Sequence, residues 1–199
     1  MIYLVRHGRT ASNASGLLLG HANPSLDDVG RSQAAAVAVS LSGPAGVELT
    51  RVVCSPLART SQTAVEIARV SGLDGPVTDE RFIELDYGDW DGRPISSVSA
   101  QEWARWRSDA QFAPPGGESL VDLHTRVTAG LADLLEEAQD HDIAIVTHVS
   151  PIKSAVAWAL GVDIAVSWRM FVQPAAVTRI ALRGGVASLY GFNDVSHLS

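Results

Sequence analysis

Six side chains of this 199-residue chain, taken together, suit phosphoryl chemistry. An apolar run, Ile2-Tyr3-Leu4-Val5, ends in Arg6-His7-Gly8-Arg9-Thr10. That pattern puts a guanidinium and an imidazole at the carboxyl end of a strand, where open α/β sheets bind their ligands. A second run, Arg51-Val52-Val53-Cys54, leads into Ser55-Pro56-Leu57-Ala58-Arg59, and Ile145-Val146-Thr147 ends at His148. Asn13 lies in the loop beyond His7. If these strands are parallel neighbours, two arginines, two histidines and an amide meet around one cleft. Guanidinium forks match the several anionic oxygens of a phosphoryl group. Two nearby cations oppose protonation of His7 and favour its neutral, nucleophilic form. Attack on phosphorus then gives a phosphohistidine and splits the transfer into two easier steps. The leaving alkoxide needs a proton, and Glu84, in the irregular stretch Phe82 to Gly92, is the candidate donor. A carboxyl beside a bound dianion has its pKa raised, which suits a general acid.

Each residue alone has a plainer reading. His7 could be a satisfied buried histidine, Arg59 a helix-surface cation and Asn13 an Asx turn. Asp86 competes with Glu84 in the same loop. The joint set is what favours catalysis. His21, in Leu19-Gly20-His21-Ala22-Asn23-Pro24, reads equally as substrate contact or loop surface. His124 and His141 read as helix or loop surface, and His197 as tail. Trp90 reads as loop packing, and Trp103 and Trp106 as a small satellite core.

The elements that must position these groups alternate along the chain. Ile2 to Val5 is the first strand. A helix is expected from Asp27-Asp28, whose carboxylates suit a helix amino end, to about Ser40, stopped by Ser42-Gly43-Pro44. Arg51 to Cys54 is the second strand, and Ser55-Pro56 is expected to open a helix to about Val70. A short strand near Val77, an irregular stretch from Glu80 to Pro94 and a Trp-rich helix follow. After the turn Pro114-Pro115-Gly116-Gly117, Ser119 and Asp122 resemble a capping box. Leu123, Val127, Leu131, Leu134 and Leu135 then fall on one helical face. Ile143 to Thr147 reads as a buried strand, and Pro151 to Leu160 as a helix closed by Gly161. Segments near Met170–Val172 and Val177–Leu182 complete the sheet. The expected fold is α/β, a three-layer sandwich with a mostly parallel central sheet flanked by helices, in a single domain over residues 1–199.

Composition narrows the partners. Apolar residues make up 46% of the chain, enough for a sizeable core. The net charge of −7 disfavours a nucleic-acid partner. Lys153 is the one lysine among the basic residues. The single Cys54 excludes an intrachain disulfide, fits a reducing cytoplasm and reads as a buried small hydrophobe. No signal-peptide pattern or membrane-length apolar run occurs. A cytoplasmic protein acting on a small-molecule phosphate ester, without membrane or nucleic acid, is expected. The last strand-like segments leave a homodimer open.

The sequence resembles the histidine phosphatase superfamily, also called phosphoglycerate-mutase-like. Arg6-His7-Gly8-Arg9-Thr10 with Asn13 is similar to that family's Arg-His-Gly-x-Thr signature. Ser55 to Ala64, Glu84 to Gly92, Gly116-Gly117-Glu118-Ser119 and Thr147-His148 are similar to its later blocks, in family order and across almost the whole chain. The resemblance implies His7 as the phosphorylated nucleophile. It implies Arg6, Asn13, Arg59 and His148 as the phosphate pocket, and Glu84 as proton donor. It implies no metal and no cofactor. After the second histidine many members have Gly-Gly, whereas this chain has Val149-Ser150-Pro151-Ile152-Lys153. That version is similar to a phosphatase branch that includes α-ribazole-phosphatase-type domains. The stretch after Glu84 is short and acidic (Asp86, Asp89, Asp91), unlike the basic insertion of the larger mutases. Hydrolysis of a phosphomonoester is therefore the expected reaction, with discrimination against heavily anionic substrates by like-charge repulsion. A mutase and a non-catalytic phosphate-ligand binder are the alternatives.

Overall fold

Alternation along three buried strands sets the architecture. In a computed structural model, which describes residues 1–42 and 47–198, β1 (Ile2–Arg6), β2 (Leu49–Cys54) and β4 (Asp142–Thr147) lie side by side and parallel. Successive side chains of a strand point to opposite faces. Ile2, Leu4, Val53, Ile143 and Ile145 pack on one face with Leu123, Val127 and Leu131 of α5 (Leu120–Ala132) and Ile152 and Ala155 of α7 (Val149–Leu160). Tyr3, Val5, Val52, Cys54, Ala144 and Val146 pack on the other with α2 (Asp28–Ser42) and α3 (Ala58–Val70). Two helical layers thus cover one sheet, and each layer buries the opposite half of the same strands. Cys54 is buried among these apolar neighbours, as its sequence context predicts.

Among the described residues the sheet has six strands, in the order β3-β2-β4-β1-β5-β6. The short β3 (Val77–Thr78) extends the parallel part. β5 (Val177–Arg183) and β6 (Val186–Asp194) run antiparallel at the other edge. The remaining helices are the short α1 (Ala11–Ala14), α4 (Ala100–Ser108) and α6 (Leu135–Asp140). No helix among the described residues is long and apolar enough to cross a membrane.

Several expectations need correction. The segment Met170–Val172 is not a strand. The sixth strand is β6, formed with β5 as a hairpin through Gly184 and Gly185, both with positive φ. Its side chains are mostly half-buried, so it lacks the apolar run that marks the core strands. The helix expected from Ser55-Pro56 begins at Ala58 instead, with Leu57 as its uncapped N-cap residue. Ser55 does not cap it, because its hydroxyl is engaged by His148. The helix expected to end near Ser40 runs to Ser42, and the Gly43-Pro44 stop lies outside the described residues. The apolar face from Leu123 to Leu135 is split after Ala132, where α5 ends, and Leu134 is the N-cap residue of α6. Ser119 caps α5 by accepting from the Asp122 N–H, while the Asp122 carboxylate binds the Ser119 hydroxyl rather than its backbone.

Candidate active site

The parallel strands end at one level, and the chain just beyond them carries the polar residues. His7 follows β1, Ser55 follows β2 and His148 follows β4. His7 and His148 meet edge to face at 5.1 Å between ring centroids. The His7 N–H joins the Thr147 carbonyl, which carries the sheet pairing one residue beyond the strand. Gly8 lets α2 abut this loop: a Cβ there would lie 2.3 Å from the Gly30 carbonyl oxygen.

Hydrogen bonds set the ring states. His7 Nδ1 lies 2.7 Å from the Gly8 carbonyl oxygen, which can only accept, so Nδ1 carries the proton. Nε2 of the neutral ring then keeps its lone pair. Burial pushes the His7 pKa well below the usual 6.5, and the charges of Arg6 and Arg59 push it the same way. In His148, Nδ1 accepts from Arg59 Nε at 3.3 Å, which leaves Nε2–H to donate to Ser55 Oγ at 2.7 Å. Burial, then His7 and the arginines, hold His148 below its ordinary value as well.

Arg59 is fully buried, and Arg6 is partly so, at the cleft. Arg6 donates through Nη1 to the Val172 carbonyl at 2.7 Å, and its Nε has no protein partner. Arg59, in the first turn of α3, donates to the carbonyls of Ala22 and Gly20, each at 2.7 Å. Burial lowers both guanidinium groups to about 10, against the opposing charge of Glu84, so both stay cationic at neutral pH.

Above them opens a cleft of about 370 Å³, lined by Arg6, His7, Asn13, Glu84, Tyr87 and the exposed Phe171, among others. Asn13 Oδ1 accepts from the N–H and the hydroxyl of Thr10, so the turn uses the oxygen and leaves the amide NH₂ as the donor Asn13 can offer. Glu84 closes the far side. Its Oε1 accepts from the N–H of Leu85 (2.8 Å) and of Ser150 (3.1 Å), and its Oε2 from the N–H of Val149 (3.1 Å). The Glu84 carboxylate thus sits on the amino end of α7, which follows the second histidine.

Residues 2–195 match the family model of the histidine phosphatase superfamily, branch 1. The chain belongs to that superfamily. It spans about half the length (49%) of the first curated relatives it matches, among them a bifunctional protein of Mycobacterium tuberculosis that is 33% identical over 180 residues, 89% of this chain. A probable phosphoglycerate mutase of Salmonella choleraesuis is 35% identical over 214 residues, covering 99% of this chain and 94% of that protein. Among solved structures, a mycobacterial glucosyl-3-phosphoglycerate phosphatase in complex with VO3 aligns with a TM-score of 0.86 at 28% identity, over 96% of this chain and 98% of that one. The α-ribazole phosphatase of Shigella flexneri aligns with a TM-score of 0.83 at 27% identity, over 97% and 96%.

Of the residues singled out in the sequence, Arg6, His7, Asn13 and Glu84 line the cleft. Arg59 and His148 are fully buried behind it, bonded to each other, with the His148 ring against His7. His21 does not line the cleft. Its Nε2 lies 3.0 Å from the Glu84 carbonyl oxygen, and its Nδ1 lies 3.6 Å from the Asp86 carboxylate. None of Asp86, Asp89 and Asp91 lines the cleft either. Asp86 accepts from the Gly88 N–H, and Asp91 from the N–H groups of Gly20 and Ala22. The acidic loop therefore folds its carboxylates onto backbone donors, which weakens the expectation of like-charge repulsion of the substrate. Trp90 is buried and packs the loop as expected.

Arg126 is the residue that sequence reasoning missed. It forms a paired contact with Glu118 (2.6 and 2.7 Å) and donates to the carbonyls of Arg81, Ile83 and Glu84. One side chain therefore ties the donor loop to α5. Glu118 lies in the Gly116-Gly117-Glu118-Ser119 turn, which presses on the same loop. Gly88 there has φ +51°, and a Cβ on it would lie 2.2 Å from the Pro115 carbonyl oxygen.

Proposed function

We propose that this protein is a phosphomonoesterase that hydrolyses a small phosphate ester through a phosphohistidine on His7. The observation that carries the reading is the His7 ring itself: Nδ1 is fixed by the Gly8 carbonyl, Nε2 is left with its lone pair, and burial together with the two nearby guanidinium groups favours the neutral state. In the first step Nε2 attacks phosphorus and the bond from phosphorus to the ester oxygen breaks. Glu84 passes a proton to the departing alkoxide, which leaves as the alcohol. In the second step water attacks the phosphohistidine, Glu84 takes up the water proton, the P–N bond breaks and inorganic phosphate departs. Arg6, Arg59 and Asn13 serve as donors to the equatorial oxygens in a site shielded from water, and His148 joins them by turning its Nε2–H from Ser55 Oγ to the phosphate. The residues named act without a metal. His21, through the Glu84 carbonyl, is a positioning residue in this scheme. The same proposal takes residues 1–199 as one catalytic domain working in the cytoplasm.

The names of the similar solved structures support hydrolysis. The similarity to a probable phosphoglycerate mutase supports a second reading, in which the alcohol is retained and rephosphorylated. Quenching the enzyme in alkaline detergent during turnover of a ³²P-labelled ester, with free phosphate and alcohol assayed in parallel, separates these possibilities. The expected result is an acid-labile phosphoprotein, with release of free phosphate in step with alcohol. His7→Ala is expected to lose the label and at least about 10⁴-fold of p-nitrophenyl phosphate hydrolysis. Isomer conversion without free phosphate would establish the mutase reading. Tight phosphate binding with neither label nor turnover would establish a non-catalytic binder.

A further inference from the structure

The cleft changes character away from its catalytic floor. Besides Arg6, His7, Asn13 and Glu84 it is bordered by Leu17, Ile95, Phe171 and Pro174, all apolar. Ile95 is 48% exposed and Phe171 70%, the highest value for a large hydrophobic side chain among the described residues, so both stand at the mouth. A single exposed apolar side chain calls for no explanation. Two on one cleft, with Leu17 and Pro174 half-buried beside them, form a patch, and apolar walls around a few polar groups are how ligand sites are built.

The segments that carry this patch are held in place. Residues 16–18 and 92–95 are zipped together: the Gly92 N–H donates to the Leu18 carbonyl, the Leu18 N–H to that of Arg93 and the Ile95 N–H to that of Gly16. The segment with Phe171 is anchored just beyond the ring. Val172 is buried, and its carbonyl accepts from Arg6 Nη1 at 2.7 Å. The Gln173 N–H donates to Asn193 Oδ1 of β6 at 2.7 Å, and the Ala175 N–H to the His7 carbonyl at 3.1 Å. Ala175 makes that bond at a φ of 57°, a left-handed conformation that is costly for alanine. Phe171 is thus presented by a segment bonded to the backbone of the nucleophile and to the Arg6 guanidinium. Because floor and mouth share one cleft, a group at the mouth is the group esterified to a phosphate resting on His7.

The chemistry of the mouth selects that group. Among the described residues lining the cleft, the polar side chains beyond Arg6, His7 and Glu84 are Asn13, which faces the phosphate in the scheme above, and Tyr87, whose hydroxyl is bonded to Ser150. A charged or many-hydroxylated alcohol would leave its polar groups without partners there. An apolar one would release water from apolar walls. We propose that Leu17, Ile95, Phe171 and Pro174 form a specificity subsite for an uncharged, apolar alcohol half, with Phe171 as the surface on which a ring of the ester packs. The assignment rests on the phosphomonoesterase reading above and names its substrate class, phosphate esters of apolar alcohols.

The test compares ethyl phosphate, 2-phenylethyl phosphate and the phosphate ester of 3-hydroxypropanoate, primary alkyl esters that differ in carrying nothing further, a ring or a carboxylate. The wild type is expected to favour the phenylethyl over the ethyl ester at least about tenfold in kcat/KM, chiefly through KM, as partial burial of a ring gives, and to favour the carboxylate ester over neither. In Phe171→Ala the phenylethyl-to-ethyl ratio is expected to fall to within about threefold, in Ile95→Ser it is expected to drop about threefold, and Phe171→Leu is expected to retain about half of it. The ratio cancels any general loss of activity in a variant. Binding of the non-hydrolysable 3-phenylpropylphosphonate is expected to show a more negative heat-capacity change than that of propylphosphonate, and Phe171→Ala to narrow the difference, since burial of apolar surface leaves that mark. A wild type that hydrolyses the phenylethyl and ethyl esters equally, a preference for the carboxylate ester, or a ratio that survives both Phe171→Ala and Ile95→Ser overturns the subsite. If none of the three esters turns over, the two phosphonates decide the subsite on their own, and equal affinity for both overturns it. Absence of p-nitrophenyl phosphate turnover as well brings down the phosphatase reading separately.

Discussion

The floor of the cleft and its donor wall are built by different means. Arg6, His7 and His148 stand at or just past strand ends, and Arg59 stands in the first turn of α3. Each inherits its place from β1, β2 and β4, which pair in register over most of their length. Glu84 has no such support. It lies in a stretch whose regular structure is limited to short 3₁₀ turns at Glu80–Phe82, Gly88–Trp90 and Ile95–Ser97. That wall is held from outside by side chains: Thr147 to the Phe82 carbonyl, Arg126 to the carbonyls of Arg81, Ile83 and Glu84, His21 to the Glu84 carbonyl and Asp91 to the backbone of Gly20 and Ala22. The floor fails when the sheet fails. The wall is expected to fail one side chain at a time, and this contrast leads to separable experiments.

The largest effect on the wall is expected from Glu84→Gln. It removes the transferable proton and also sets an NH₂ group against one of the backbone N–H donors that the carboxylate accepts. Hydrolysis of an alkyl phosphate is expected to fall about 10²- to 10³-fold, and of p-nitrophenyl phosphate about tenfold, since a good leaving group needs little protonation. Steady-state rates across a series of leaving groups measure the difference. Equal losses along the series would remove Glu84 from the role of acid and leave it as a structural anchor of α7.

Arg126→Met tests the wall without touching the cleft. It leaves Glu118 without its arginine and the Arg81 and Ile83 carbonyls without a donor, while the Glu84 carbonyl keeps His21, so a loss of about 3 kcal/mol is expected in urea unfolding, as for a partly buried pair broken on one side. Activity is expected to fall about tenfold on alkyl phosphates, with the leaving-group dependence shifted towards that of Glu84→Gln, while competitive inhibition by inorganic phosphate changes little. A uniform loss in which phosphate inhibition weakens in parallel would show that floor and wall are one unit, and the comparison would break.

The same contrast explains what could be read from the sequence. Ile2 to Arg6, Arg51 to Cys54 and Ile143 to Thr147 are continuous apolar runs that end in polar residues, so the strands and the floor groups were visible together. β6 was not visible, because its half-buried edge position selects no apolar pattern, and the turn before it is two glycines that fit many local structures. The start of α3 was misplaced because Ser55-Pro56 has the chemistry of a cap, yet His148 takes the serine hydroxyl from 93 positions away. Glu84 was found from its surroundings and the family resemblance. Arg126 was not, since its partners Glu118, Arg81, Ile83 and Glu84 come together only in the folded chain. His21 was read as an even choice between substrate and surface; it is exposed and off the cleft lining, and from the surface it buttresses the donor loop through the Glu84 carbonyl.

The smallest expected effect belongs to the floor alone and concerns protons. His7 and His148 are both held well below 6.5 in the folded chain, burial being the largest cause, whereas in the unfolded chain they titrate at the ordinary value. Below pH 6.5 the unfolded state therefore binds more protons at these rings than the folded state does. Unfolding free energy must then fall as pH falls through that range and level off above it. At pH 5.5 each ring costs up to about 1.4 kcal/mol relative to pH 7.5. The half-buried His124 and His197 are shifted in the same direction and add to the slope. Urea midpoints measured without phosphate at pH 5.5 and 7.5 give the total, and the difference between wild type and His7→Asn isolates the share of one ring. Glu84→Gln does not alter either imidazole, so its slope between these two pH values is expected to keep the histidine contribution that His7→Asn loses. A wild-type midpoint as high at pH 5.5 as at pH 7.5, or an unchanged slope in His7→Asn, would mean that the floor imidazoles carry charge in the folded protein. The nucleophile would then have to lose a proton before it could attack phosphorus.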